Sequence, residues 1–320
     1  MILCEEIDAI LSNAIVKEER GVAGHKYRDV VNEIVRYCQE NIGPRKGIGA
    51  FFKNLSGKAG SYVIKVPEEI TKKIDFVENV KLTITFDEMG SSVVTNSGGG
   101  NVNFIKAKDG GYFTKDGKLF AISINLEAFH HNGEILTRTF TNSLYHELNH
   151  AHDVWSRGVD FLRSYAKNVG VGYGVKDKMV FSPNDTINKF FREIFYRLFI
   201  PTELNALVSG VYGDLRGMNS ERVNYREDIH NTQAAWILDN FTENFDNYLS
   251  QVSVDSLMKA CKDMEIDDVS RQDPHTFLVT FKLSFEKKIR EAWKRIGRAA
   301  SLWYDDKEEA ELNENGLKMV

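Results

Sequence analysis

The chain has 320 residues, of which 42% are hydrophobic, 11% aromatic and 27% charged, and its formal net charge is −5. This balance is typical of a globular protein with a substantial core, and the lack of a basic excess argues against a nucleic-acid partner. Three cysteines, Cys4, Cys38 and Cys261, form no Cys-x-x-Cys pair and no disulfide framework, which predicts free thiols in a reducing compartment.

The first residues turn acidic without the basic flank and apolar run of a secretory signal, and no apolar run reaches membrane-spanning length. We therefore expect a cytoplasmic protein without a membrane partner, one that a particle such as a virion could also carry. Apolar residues at helical spacing predict helices over residues 4–20 and 25–40.

The hydrophobic period then changes from helical to two. Residues 62–66, 80–86 and 118–125 are predicted strands, and an Asp-Gly pair at residues 116–117 marks a hairpin before the last of them. The glycine-rich segment at residues 97–101 is a predicted loop.

The strongest motif is His146-Glu147-x-x-His150. On a helix, the two histidines stand one turn apart on one face, where both imidazoles can bind one tetrahedral metal ion. Glu147 projects beside them and can take a proton from water on that metal. Apolar residues repeat at helical spacing around the motif and predict a buried helix: Phe140, Leu144, Leu148, Ala151 and Trp155. The motif therefore predicts a metal site rather than a chance match on a solvated helix.

Other polar residues near the motif have weaker interpretations. His130 and His131 adjoin an Asn-Gly pair and are interpreted as turn residues, with metal binding the less favoured alternative. His152 should point away from His150, which predicts a surface or core role. Asp153 lies near the ligand face, where it could orient His150 or complete a His-His-Asp site.

The remainder of the chain is predicted to be mostly helical. Asn184 or Asp185 caps a buried helix, Pro201 restarts it, and helical periodicity recurs over residues 234–249 and 277–303. Residues 305–312 are acidic and predict a frayed tail. The last helix carries basic residues that predict a solvated face rather than a nucleic-acid patch: Lys287, Lys288, Arg290, Lys294, Arg295 and Arg298.

A catalytic zinc needs a third protein ligand, and Glu203 is the candidate. An unpaired carboxylate on an otherwise apolar helix is costly, and coordination would remove that cost. The alternative is that Glu203 caps backbone amides at the helix start beside Pro201. Zinc is preferred for these ligand types, although two imidazoles and a carboxylate also suit iron or manganese.

His146, Glu147 and His150, with Glu203 and Ala206 on a later helix, resemble the motifs of zincin metallopeptidases of the gluzincin type. The resemblance covers about residues 62–215. It implies an α+β, zincin-like fold with a small, mostly antiparallel sheet whose last strand edges the cleft, then an active-site helix and a largely helical C-terminal half. We expect N-terminal helices and a loop in residues 1–60, the metallopeptidase core in 61–215, and a helical region packed on it in 216–320, or one continuous domain.

The resemblance implies that His146, His150 and Glu203 bind Zn²⁺ and that Glu147 activates the metal-bound water. A peptide or protein substrate would add as a strand beside residues 118–125. Such families also use a tyrosine or histidine that stabilises the oxyanion. The candidates for that role are Tyr212, Tyr225 and His230.

The leading hypothesis is therefore zinc-dependent peptide-bond hydrolysis. A second hypothesis is a catalytically silent protein of this fold, such as a structural or interaction component of a phage or mobile-element assembly. The intact Glu147 favours the enzyme, and the lack of a motif for the oxyanion residue favours the silent protein. A third hypothesis is metal-dependent hydrolysis of a non-peptide amide.

Overall fold

The computed structural model describes residues 6–7, 9–11, 27–42, 62–74, 79–88, 99–104, 114–115, 118–119, 121–131, 133–153, 174–175, 178–266 and 273–317. The fold is α+β and mostly helical, with one small mixed sheet in the N-terminal half. Within these ranges, every helix is too short or too polar to cross a membrane.

The N-terminal half contains a first helix followed by short helical and extended segments. Its elements are α1 (Arg28–Asn41), β1 (Tyr62–Lys65), α2 (Glu68–Thr71), β2 (Asn79–Glu88), β3 (Gly99–Phe104), β4 (Thr114–Lys115), β5 (Lys118–Leu119), β6 (Ala121–His131) and β7 (Glu134–Ile135). Residues 6–7 and 9–11, within the first predicted helix, are also helical.

The C-terminal half is helical, as its periodicity predicted. Its helices are α3 (residues 137–153), α4 (Asp185–Phe199), α5 (Pro201–Gly217), α6 (Tyr225–His230), α7 (Gln233–Leu249), α8 (Val254–Asp263) and α9 (Pro274–Leu317). The predicted cap is confirmed at Asn184, whose side chain accepts hydrogen bonds from the backbone N–H groups of Thr186 and Ile187. Pro201 occupies the start of α5, where its missing N–H costs nothing.

The sheet has the strand order β1-β2-β6-β3, and β7 pairs with the end of β6. The pairs β1-β2, β3-β6 and β6-β7 are antiparallel, whereas β2 and β6 run parallel over their full ten-residue register, from Asn79↔Ala121 to Glu88↔His130. The expected mostly antiparallel sheet is therefore mixed, with a parallel pair at its centre. The predicted hairpin is confirmed by the separate antiparallel pair β4-β5.

Strand β6 lies inside the sheet, between β2 and β3. This corrects the prediction of substrate addition beside residues 118–125, and the pairing of β3 corrects the prediction of a loop at residues 97–101. Leu126, for example, pairs with Ile84 of β2 on one side and Gly100 of β3 on the other. Residues 122–125 thus have neighbours on both sides, and a substrate strand cannot add there. Residues 99–101, predicted to be a loop, belong to β3. Glycines disfavour a strand because they are conformationally free, but here β6 provides partners for the backbone N–H and C=O groups of this segment.

The buried apolar side chains form one cluster that extends from Ile7 to Tyr304. Helix α3 lies within this cluster, since every residue from 140 to 151 except His146 is buried. Phe140 packs edge-on against Phe86 of the sheet, and Tyr145 packs against Tyr212 of α5. The helix that carries the metal motif is therefore held from several sides.

The acidic C-terminal segment is part of α9, so the predicted frayed tail is wrong. The helix continues to Leu317. Asp306 is buried and accepts a hydrogen bond from the Tyr212 hydroxyl, while Asp305 forms an ion pair with Arg222. These partners, which are distant in sequence, hold the acidic turn against the rest of the molecule.

Several basic side chains of α9 have acidic partners within the chain. Lys288 and Arg295 pair with Glu291, and Arg290 pairs with Glu6 near the N-terminus. The predicted solvated face is thus solvated in part: Lys287, Lys294 and Arg298 are exposed, whereas Lys288, Arg290 and Arg295 are half-buried.

Candidate metal centre

The two histidines of the motif meet on one face of α3. The apolar positions predicted around them are buried at Phe140, Leu144, Leu148 and Ala151, while Trp155 lies outside the described residues. This periodic burial fixes the helix rotation, so the Nε2 atoms of His146 and His150 come within 3.2 Å of each other. His150 is buried, and 22% of the His146 side chain remains exposed.

Glu203 completes the group from the facing helix α5. The backbone is extended at Ile200 and becomes helical again at Pro201, which places Glu203 in the first turn. Its carboxylate lies 3.7 Å from Nε2 of His150 and 3.9 Å from Nε2 of His146, and the residue is only 5% exposed. The carboxylate therefore faces the imidazoles, as the ligand hypothesis expects.

Among the described residues, His146, His150 and Glu203 form a group that could hold a metal ion, with one ligand atom of each within 4.8 Å of the others. Atoms bound to a tetrahedral zinc at its usual bond lengths lie roughly 3.3 to 3.6 Å apart. The Nε2 atoms lie 3.2 Å apart, Oε1 of Glu203 lies 3.7 Å from His150 and Oε2 lies 3.9 Å from His146, so one carboxylate oxygen faces each ring at a slightly longer distance than this spacing. The donor set of two imidazoles and one carboxylate fits a divalent transition metal.

The electrostatics of the group also favour a cation. Burial lowers the pKa of His150 to about 4 and lowers the pKa of His146 well below its usual range, so both rings are neutral at neutral pH and can donate a lone pair to a metal. Burial, and then the charge of Glu203, raise the pKa of Glu147 to about 8. Two buried carboxyl groups beside two neutral bases make a site that a positive charge would stabilise.

Asp153 lies near the site without joining the three-residue group. Its negative charge raises the pKa of His150, against the larger effect of burial, which places it close to that ring. Its carboxylate accepts a hydrogen bond from the Asn205 amide at 3.2 Å, and Arg295 donates to the Asn205 oxygen at 2.6 Å. No signal in the sequence marked Asn205, and Arg295, predicted to lie on a solvated face, instead contacts Asn205, because this connection to Asp153 joins three separate helices.

The neighbouring histidines have other contacts. His130 is buried, and its ring packs edge-on against Tyr62 with 4.9 Å between the ring centroids. His130 and His131 end strand β6 and pair with β7, so they are strand residues and not the turn residues of the prediction; the turn lies between His131 and Glu134. The ring of His152 packs edge-on against the ring of Tyr27, the residue just before α1, with 6.1 Å between the ring centroids. His152 therefore has the packing role that its position on the helix predicted.

Tyr212 is not positioned to stabilise an oxyanion, and this prediction is wrong. The residue is fully buried, and its hydroxyl donates to the carboxylate of Asp306. Its ring is enclosed by Tyr145 and Trp303. A substrate carbonyl has no access to a hydroxyl in this position.

Tyr225 and His230 make contacts with residues outside the metal group. The Tyr225 hydroxyl accepts a hydrogen bond from Arg226 at 3.0 Å. His230 pairs with Asp239 at 3.3 Å and packs against Trp293. Neither contact supports an oxyanion role, which stays a prediction for these two residues.

Comparison of the chain with protein-family models, curated proteins and solved structures gives no match.

Proposed function

We propose that this protein is a zinc-dependent hydrolase of peptide bonds. The observation that carries the proposal is the position of Glu147, a buried carboxyl group next in sequence to His146, within the electrostatic influence of Glu203. A purely structural metal site needs ligands but has no need of an additional buried carboxyl group. General-base catalysis beside a metal requires one.

Each residue of the site has a distinct part in this chemistry. His146, His150 and Glu203 would hold the zinc ion, which when bound polarises a carbonyl group and lowers the pKa of water. Glu147 accepts the proton that the attacking water releases and delivers it to the nitrogen of the leaving amine. Beside a bound metal ion, the pKa of Glu147 would fall from its raised, metal-free value toward neutral pH, where a catalytic group exchanges protons most efficiently.

A metal-holding protein without turnover is the second candidate. The observation that favours it is the burial of Tyr212 against Asp306, which removes one of the predicted oxyanion donors. The two functions share the metal ligands and differ only in the need for Glu147.

The test measures metal content and peptide cleavage on the same samples. We expect the wild-type protein to bind about one zinc ion, and His150→Ala and Glu203→Ala to lose it. The matched control is His152→Ala, which removes a histidine from the same helix whose ring contacts Tyr27 instead, and should keep the metal.

Cleavage is assayed on a mixture of peptides of varied sequence, with product masses identifying the cut bonds. Glu147→Gln should keep the zinc and lose cleavage by a factor of about 100 or more. Zinc in the wild type without any cleavage would support the second candidate. Failure of the wild type to bind any divalent metal would overturn both.

A further inference from the structure

Helices α3 and α5 pack antiparallel along one seam, and the metal group lies at one end of it. Gly217 near the end of α5 meets Arg138 near the start of α3, whereas Glu203 at the start of α5 meets His150 further along α3. Asn142 faces Gly210 between these two contacts. The position of Glu203 relative to the histidines therefore depends on how the whole seam is held.

The two backbones touch along the seam. A Cβ atom on Gly213 would lie 2.7 Å from the backbone of Thr141 and Asn142, and one on Gly217 would lie 2.5 Å from Cα of Arg138. Real Cβ atoms do not approach backbone atoms this closely, so only glycine fits at both positions. Because the two helix backbones are in contact, α3 and α5 are close enough for a glutamate on one helix to reach histidines on the other.

A buried hydrogen-bond cluster fixes the register of the seam. The Asn142 side-chain amide donates to the Gly210 carbonyl at 3.0 Å and to the Asp214 carboxylate at 2.9 Å. Asp214 also accepts from the backbone N–H of Gln233 at 2.8 Å and from Arg138 at 3.3 Å. Asn142 is 8% exposed and Asp214 is 2% exposed, so water cannot replace these bonds at low cost.

Asn142 lies four residues before His146 and eight before His150, on the same face of α3. We propose that Asn142 and Asp214 are positioning residues of the metal site, whose hydrogen bond sets the register of α3 against α5 and so holds Glu203 opposite the two histidines. This inference rests on the metal site in the proposed function. It adds that the metal affinity of the site depends on a contact between α3 and α5 that lies one helical turn before His146.

A metal site is sensitive to such a contact because its bond lengths tolerate only about ±0.2 Å. A slide or rotation of α5 against α3 would move Glu203 away from both imidazoles while leaving the core of each helix buried. Substitutions of groups that orient metal ligands typically weaken metal binding about 10- to 100-fold. We expect a loss of this size when Asn142 can no longer donate.

The test compares Asn142→Leu with two other variants in the full-length protein. Asn142→Leu keeps a similar volume and removes both donated bonds, and it should bind zinc about 10- to 100-fold more weakly in competition with a chelator. Asp214→Asn keeps an oxygen that accepts from Asn142 but turns an amide donor toward Arg138, so its zinc affinity should fall less than that of Asn142→Leu. Val208→Ala removes buried volume from the opposite face of α5 and should leave zinc affinity unchanged.

A second readout separates positioning from stability. The visible absorption spectrum of the cobalt-loaded protein reports ligand geometry, and it should change in Asn142→Leu but not in Val208→Ala. If Asn142→Leu does not fold, Asn142→Ala replaces it, because the smaller side chain removes both bonds to α5 without adding bulk against Gly210. Asn142→Ala should then weaken zinc binding about 10- to 100-fold as well.

Wild-type zinc affinity and an unchanged cobalt spectrum in Asn142→Leu, or in Asn142→Ala where that variant replaces it, would overturn this inference and leave the proposed function intact. If Val208→Ala weakened zinc binding as much as Asn142→Leu does, the inference would also be overturned, because lost stability alone would then explain the loss of affinity. A wild-type protein that binds no metal would overturn the proposed function and this inference together.

Discussion

The Nε2 atoms of His146 and His150 lie 3.2 Å apart, and their rings meet nearly edge to face. A neutral imidazole has one nitrogen that donates and one that accepts. In the metal-free protein, one of these Nε2 atoms must therefore carry a hydrogen and donate it to the other. A metal ion instead takes a lone pair from each ring at the same time. The geometry therefore couples metal binding to the stability of the native fold.

Zinc should stabilise the chelator-treated protein. A ligand that binds only the native state at 100 times its Kd raises the free energy of unfolding by about 2.7 kcal/mol. We expect this increase in the wild type and in His152→Ala, measured by urea denaturation with buffered free zinc. The same increase in His150→Ala would show that the zinc effect arises at another site.

The metal-free protein should gain stability from Glu147→Gln, and the gain should grow with pH. The pKa of Glu147 is raised from its ordinary value of 4.5 to about 8. A raised pKa for a carboxyl group means that stability present below the unfolded value is lost as pH rises through the folded value. Glutamine does not ionise, so the variant keeps that stability.

Scanning calorimetry in the presence of a chelator tests this expectation. The two melting temperatures should agree near pH 4 and differ by several degrees at pH 8 to 9, with the variant higher. The control is Glu243→Gln, which changes an exposed carboxylate on α7 and should give no pH-dependent difference. Equal melting temperatures of the wild type and Glu147→Gln at pH 9 would contradict the buried placement of the carboxyl group.

The cap of α4 gives a prediction about stability alone. Asn184 accepts backbone hydrogen bonds from Thr186 at 2.9 Å and from Ile187 at 3.3 Å. Asn184→Ala removes both and should lower the free energy of unfolding by about 1 kcal/mol, as a shift in the urea midpoint. Asn184→Asp keeps an accepting oxygen and should cost little. A loss in Asn184→Asp as large as that in Asn184→Ala would mean that the cap is not the cause.

The sequence predicted the three residues of the candidate metal group because each has a strong local pattern. His146 and His150 are fixed by their spacing on an amphipathic helix, and Glu203 is an acidic residue in an otherwise apolar stretch. The cap at Asn184 and the helix start at Pro201 follow from backbone chemistry within a few residues. Contacts between residues near in sequence are therefore sufficient to predict the helices and the three residues of the candidate metal group.

What the sequence did not predict depends on contacts between distant segments. Strand β3 forms around glycines because β6 provides its partner, and the turn at Asp306 is ordered because Tyr212 donates to it. The seam was also missed, although a signal was present. Gly210, Gly213 and Gly217 recur at helical spacing on α5, which indicates a close helix neighbour without saying which helix it is.

The Tyr212 hydroxyl should contribute to the stability of the protein and not to catalysis. It donates to the buried carboxylate of Asp306, which joins α5 to α9. Tyr212→Phe removes the donor and leaves that carboxylate without this bond. We expect the free energy of unfolding to fall by about 1 to 3 kcal/mol, measured by urea denaturation.

Metal content and peptide cleavage of Tyr212→Phe, each normalised to folded protein, should stay at wild-type levels, because the hydroxyl is enclosed by the core. Asp306→Asn is the matched variant at the other end of the bond. Its amide oxygen can still accept from Tyr212, so the stability loss should be smaller. A 100-fold loss of cleavage in Tyr212→Phe with unchanged stability would reverse this conclusion, since only a hydroxyl that reaches the substrate could produce it.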